Sequence, residues 1–165
     1  MSKCNKSQCL ISFVAVFAFM FLYDKVFHSC KWMMDQYAQT AHLWRTAEDM
    51  GQYFPWFFVR YGILAAVICC LYKKMCNCAT TSCSGKPVNE GPGCCMKPGT
   101  CVHKRGMCYG AKIGVLIGTV QASSYIWTPI PAELALAWFG AAVVQGIGAG
   151  LLLSFLCKKK DCSAA

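Results

Sequence analysis

The chain has 165 residues, of which 56% are hydrophobic and only 14% charged, with a formal net charge of +9 and a mean hydropathy of +0.41. An ordinary soluble domain carries roughly 25% charged residues, so this composition excludes a soluble enzyme, and its apolar content excludes a disordered tail. The length fits a single domain, and the class it points to is an integral membrane protein.

A bilayer core needs about 20 predominantly apolar residues per helix, and four segments approach that length. The first runs from about Cys9 to Phe27, broken late by Asp24 and Lys25. Its uninterrupted part, Cys9 to Tyr23 behind Lys3 and Lys6, has the length of a signal-peptide core, but no small-x-small cleavage site follows it. The reading is therefore a retained span. After it, Asp24, His28, Lys31, Asp35, Gln39 and His42 recur at helical spacing, while Phe27, Cys30, Met34, Tyr37, Ala41 and Trp44 recur on another face. This predicts an amphipathic helix over about 24–45, continuous with the first span, that either lies at the membrane surface or packs over the mouth of the bundle.

The polar stripe invites a metal or acid/base reading. Asp24 and His28 are one turn apart, but His28 to Asp35 and Asp35 to His42 are each seven residues, about 10 Å at 1.5 Å rise per residue. One ion cannot bridge those gaps. A solvated face is the favoured reading, with an Asp24/His28 site completed by another helix as the alternative. Thr46-Ala-Glu48-Asp49 resembles a capping-box start, which makes Pro55 either a kink or a first-turn residue of a later helix.

The second span runs from about Pro55 to Tyr72 and contains Arg60. The third runs from about Gly110 to Trp127 and the fourth from about Pro131 to Cys157. Gly110, Gly114 and Gly118 form one row of small residues, and Ala142, Gly146, Gly150 and Ser154 form another. Such rows let helix backbones approach closely in lipid, so they predict the seam between the third and fourth spans, with a homodimer face as the other use. Pro131 after the Thr128-Pro129-Ile130 turn suits a first helical position. Arg60 and Glu133 fall at similar depth and are expected to form a buried pair. Gln121 and Gln145, near the membrane centre, are expected to hydrogen-bond to each other. These polar residues read as structural glue before they read as a substrate pathway.

Between the second and third spans, Cys76, Cys78, Cys83, Cys94, Cys95, Cys101 and Cys108 crowd a stretch rich in glycine and proline, with Cys69 and Cys70 just before it. The composition predicts an irregular loop. In a reducing compartment, thiolate ligation of zinc or copper(I), with His103 joining, is the leading special reading. A reduced or redox-active thiol loop, and disulfides under inverted topology, are the alternatives. Paired C-x-x-C knuckles of ordinary zinc modules are absent.

Charge placement orients the bundle, because Lys and Arg concentrate in short cytoplasmic flanks. With both termini inside, the inner segments hold Lys3, Lys6, Lys73, Lys74, Lys86, Lys97, Lys104, Arg105, Lys112 and Lys158 to Lys160, against only Glu90 and Asp161 as acids. The net charge is thus distributed as topology requires and does not point to a nucleic-acid partner. The predicted architecture is all-α, a four-helix transmembrane bundle with an amphipathic extension on the outer side. Residues 1–72 hold the first two spans, 73–109 the Cys-rich inner loop, and 110–165 the last two spans with a basic tail.

Tyr37-Ala-Gln-Thr-Ala-His-Leu-Trp44-Arg45, with Met50 and Tyr53-Phe-Pro-Trp56, resembles a group of small bacterial four-span membrane proteins whose biochemical role is unassigned. Tyr125, Pro129-Ile-Pro131, Leu136-Ala-Trp138-Phe139 and Gly146-x-x-x-Gly150 are similar to the same group. The resemblance implies a bacterial inner-membrane location and supplies no catalytic residues; the Cys-rich loop departs from the pattern as an insertion. Three functions follow in order of preference: a non-enzymatic membrane scaffold or accessory subunit, a soft-metal binding or transport protein, and a membrane enzyme using Asp24 or His28. The expected partners are the bilayer and either a second copy or another membrane protein.

Overall fold

Long apolar segments become helices because a helix satisfies every backbone N–H and C=O within itself, which a bilayer demands. The computed structural model describes residues 6–80 and 102–157, and every regular element among them is helical. These are α1 Lys6–His28, α2 Lys31–Gln39, α3 Ala47–Gln52, α4 Phe54–Thr80, α5 Val102–Ala122, α6 Ser124–Trp127 and α7 Ala132–Leu156, with a 3-10 turn at Ala41–Leu43. Three helices are long and apolar enough to cross a membrane: Ser7–His28, Phe54–Lys74 and Ala132–Leu156. α5, the expected third span, falls short of that measure because Lys104, Arg105 and Lys112 sit in its first three turns.

The long helices alternate in direction. α1 packs on α4 and α7, and α5 packs on α7 along nearly its whole length. One end of the bundle carries α2, α3 and α6 and is called the cap end below; the other is the loop end. The main core joins Val16 and Met20 of α1 to Tyr61, Ala65 and Ile68 of α4 and to Ala149 and Leu153 of α7. A smaller core at the cap end gathers Met33, Ile130, Leu134 and Ala135, with Tyr37, Trp44 and Trp138 around them.

The α5/α7 contact is made by backbone. A methyl group built on Gly114 would stand 2.7 Å from Val143 Cα and 2.8 Å from Ala142 O, and one on Gly118 would stand 2.9 Å from Phe139 O. Gly110 faces the Gly146 carbonyl and Gly150 faces the Gly106 carbonyl too closely to admit any Cβ. The two predicted rows therefore meet each other within one chain, which is the seam and not the homodimer face. Gly106, four residues before Gly110, extends the row onto Gly150 and Ser154.

Several boundaries differ from the sequence reading. α4 continues to Thr80 and α5 begins at Val102, so both helices extend into the stretch read as loop, and Cys76, Cys78, His103 and Cys108 are helical. Pro55 lies in the first turn of α4 rather than at a kink, and α6 forms a separate turn after α5. Pro131 is the N-cap of α7, one position before the expected one. α1 is tied into the bundle by Gln8 Nε2, which donates to Leu156 O at 2.9 Å, and by Met20 O, which accepts from Gln145 Nε2 at 3.0 Å.

Because the seam admits no side chain, Gly114→Leu and Gly146→Leu should each destabilise the protein in detergent by about 1–3 kcal/mol or more, the usual cost of overpacking. Leu116, which is 63% exposed, lies off the seam, and Leu116→Ile should leave the melting temperature within error. Equal shifts at all three positions would contradict the packing.

Candidate functional site

The cap end is built by the last turn of α1 and by α2. α1 stops at His28, and the chain breaks at Ser29 and Cys30 before α2 begins. The predicted continuous helix over 24–45 is therefore two helices and a 3-10 turn. Its inward face is also rotated from the expected one. Met33, Gln36 and Thr40 are buried, whereas Cys30, Met34 and Ala41 are exposed. The break at Ser29–Cys30 resets the helical phase, so a stripe counted through it drifts off the buried side. Tyr37 and Trp44 do pack inward as predicted, half-buried against Trp138.

A hydrogen-bonded chain fastens this cap to the bundle. Trp138 Nε1 of α7 donates to the Tyr37 hydroxyl at 3.1 Å, which in turn is 2.5 Å from His28 Nδ1. His28 Nε2 is 3.4 Å from Asp24 Oδ1. In the neutral ring the Trp138 donor orients the chain: Tyr37 donates to Nδ1, and Nε2–H points to the carboxylate. Burial pushes the Tyr37 hydroxyl from its ordinary 10.0 up to about 12. Farther along, Trp44 Nε1 donates to Thr40 Oγ1 and Thr40 Oγ1 donates to Gln36 O, both at 2.8 Å. Thr46 caps α3 as its spacing predicts, accepting from Asp49 N at 3.2 Å.

Beneath the cap a cavity of roughly 370 Å³ is lined by Tyr23, Asp24, Phe27 and His28 of α1, Arg60 of α4, Gln121 of α5, Ser124 of α6, and Trp138 and Gln145 of α7. Arg60 stands 5.5 Å over the Tyr61 ring. The buried Tyr61 hydroxyl lies beside the Asp24 carboxylate and interacts with it.

Of the polar residues singled out in the sequence, Asp24, His28, Arg60, Gln121 and Gln145 meet here, the last three in other pairings than expected. Gln145 donates to the Met20 carbonyl of α1 instead of bonding Gln121, because its position on α7 faces α1. Gln121 lines the cavity. Arg60 and Glu133 are both exposed, and the side-chain ion pairs among the described residues, Asp24–His28 and Arg45–Asp49, include neither. Arg60 turns to the cavity, while Glu133 sits in the first turn of α7, where the helix dipole stabilises an acid without a partner. Asp24 and His28 are adjacent as read, but among the described residues no group of three ligating side chains surrounds an ion position.

The thiol set is divided. Cys83, Cys94, Cys95 and Cys101 lie outside the described residues. Cys76 and Cys78 lie on the last turns of α4, and Cys108 is on α5. His103 is held against α7, with Nδ1 3.3 Å from Ser154 Oγ and its ring 4.3 Å from that of Phe155. At the loop end Cys69 is buried and Cys70 exposed, and Lys73 Nζ donates to Cys9 Sγ.

Sequence reasoning missed Tyr37 and Trp138 as polar partners, since both read as apolar positions and their contact spans 101 residues. Tyr61 carried no signal of its own beside Arg60. Comparison of the chain with known protein families, curated proteins and solved structures finds no match.

Three outcomes follow from this geometry. Tyr37→Phe strands the Trp138 donor and the His28 acceptor, so the cap should lose about 1–3 kcal/mol. A raised hydroxyl pKa means that the folded state favours the neutral form. That stabilisation is complete below pH 10 and is lost as pH rises toward 12, so in a melting series over that range wild type should lose more stability than Tyr37→Phe. For Arg60→Met and Glu133→Gln, the destabilisation of the double variant should equal the sum of the singles within about 0.5 kcal/mol. A partial recovery would restore the ion pair.

Proposed function

We propose that the protein is a four-span integral membrane protein that works without covalent chemistry, as a membrane scaffold or accessory subunit presenting a fixed cap on one face of the bilayer. The observation that carries this reading is the glycine seam. α7 is long and apolar enough to cross the membrane, and α5 lies backbone against backbone with it from Gly106 to Gly118, so a bilayer that holds one helix holds the other. Lys104 and Arg105 then fall at the loop end beside Lys73 and Lys74, where their stems reach the headgroups.

Two further features support this arrangement. Trp56, Tyr125 and Trp127 are exposed at the cap end, Trp127 to 82%, as in the aromatic belts that mark a membrane interface. In the sequence, Lys and Arg concentrate in the segments that flank the opposite ends of the spans, the side that the positive-inside rule assigns to the cytoplasm. Both termini are then cytoplasmic and the cap is external. The likeness of Tyr37 to Trp56 and of Tyr125 to Gly150 to small bacterial four-span proteins favours the inner membrane. The scaffold role rests on the cap: its aromatic and hydrogen-bonded ties to α7 hold α2 in one orientation and leave Trp32 and Met34 exposed.

Single-cysteine variants treated in intact cells with a membrane-impermeant thiol reagent test the orientation. Cys30, exposed between α1 and α2, should label, and Cys83, Cys94 and Cys95 should not. The reverse pattern overturns the orientation, and labelling at all four sites overturns the four-span arrangement.

A further inference from the structure

Charge of both signs reaches the cap-end cavity. Asp24 and Arg60 stand on its walls, yet they are not an ion pair, and Arg60 has no carboxylate within ion-pair distance among the described residues. Asp24 is contacted by His28 at 3.4 Å and lies beside the hydroxyl of Tyr61, a residue only 2% exposed. Opposite charges held apart across an open space at a membrane interface are suited to a ligand that carries the complementary pair.

The two walls select different groups. Arg60 offers a planar fork of donors, the geometry that matches phosphate. Tyr23, Phe27 and Trp138 line the cavity together with Asp24, and a carboxylate in an aromatic-lined space suits an ammonium ion through charge and cation–π attraction. A simple anion would face Asp24 and a simple cation would face Arg60, so neither fits the whole cavity. The cavity also lies at the end of the bundle that bears Trp56, Tyr125 and Trp127, which is headgroup depth.

We propose that this cavity binds a phosphate–ammonium zwitterion of the phosphoethanolamine kind, with its phosphate on Arg60 and its ammonium at Asp24. Such a group is presented by a free solute or by a lipid headgroup, and the two sources place the same charges at the same spacing. The proposal needs the bundle to sit in a membrane but does not depend on the scaffold role.

The test uses the full chain purified into nanodiscs of purely anionic phosphatidylglycerol, with binding read by calorimetry and thermal shift. Phosphoethanolamine should bind and raise the melting temperature, with ethanolamine and inorganic phosphate each weaker by about tenfold or more. In a second arm, native mass spectrometry of protein taken from equal mixtures of phosphatidylethanolamine and phosphatidylglycerol should show the zwitterionic lipid retained if a headgroup is the source. Binding in either arm supports the proposal and identifies the source. Arg60→Met and Asp24→Asn should each weaken it by about tenfold or more, and Arg60→Lys by less. Arg60 is exposed, so Arg60→Met keeps the test valid even if Asp24→Asn fails to fold. No binding in either arm by folded wild-type protein overturns the proposal, as do binding that survives Arg60→Met and equal binding of inorganic phosphate or phosphatidylglycerol.

Discussion

The arrangement depends on the direct approach of two helix backbones. Where α5 meets α7, glycine faces glycine over three turns, and there is no room for a Cβ at Gly110, Gly114, Gly146 or Gly150. In lipid no hydrophobic effect drives helices together, and close van der Waals contact takes its place. In the proposed four-span arrangement the same contact offsets the weakness of α5 as a span. A helix carrying Lys104, Arg105 and Lys112 is poorly suited to lie in lipid alone, but pressed against α7 it exposes one side only, with Lys104 and Arg105 in its first turn. α7 supplies α1 with a partner as well, so it joins the α1/α4 pair to α5.

A second constraint is that each polar group inside the bundle must find a partner. Serines and threonines turn back on their own helix, whereas three longer side chains reach backbone carbonyls of neighbouring helices: Gln8 on Leu156, Gln145 on Met20, and the Tyr109 hydroxyl on Ile68 O at 2.7 Å. These bonds cross between helices and fix their relative heights. Under the cap the rule is relaxed. Asp24 and Arg60 line one open space without forming an ion pair with each other, and charged groups so placed in a membrane bundle mark a candidate site.

Much of this was legible in the residues. The long apolar stretches, the small-residue rows and the Thr46 cap all have local signatures, and the helices, the seam and the cap follow from them. Gly106 was legible too, at the same four-residue interval as the rest of its row. What could not be read depends on contacts between distant segments. Gln145 could equally have faced α5 or α1, and only the rotation of α7 about its axis selects Met20. Arg60 and Glu133 matched in depth but not in azimuth. The break at Ser29–Cys30 has neither glycine nor proline to announce it, and it shifts the buried face of α2 by one residue.

The central claim is that α5 crosses the bilayer because it is sealed to α7. Hydrogen exchange of the backbone amides in nanodiscs measures this directly, since amides in the hydrocarbon region meet no water. The account predicts that the amides of Gly110 to Gly118 exchange as slowly as those of Ala142 to Gly150. Fast exchange along α5, with α7 still protected, would mean that α5 lies outside the membrane and would contradict the four-span bundle.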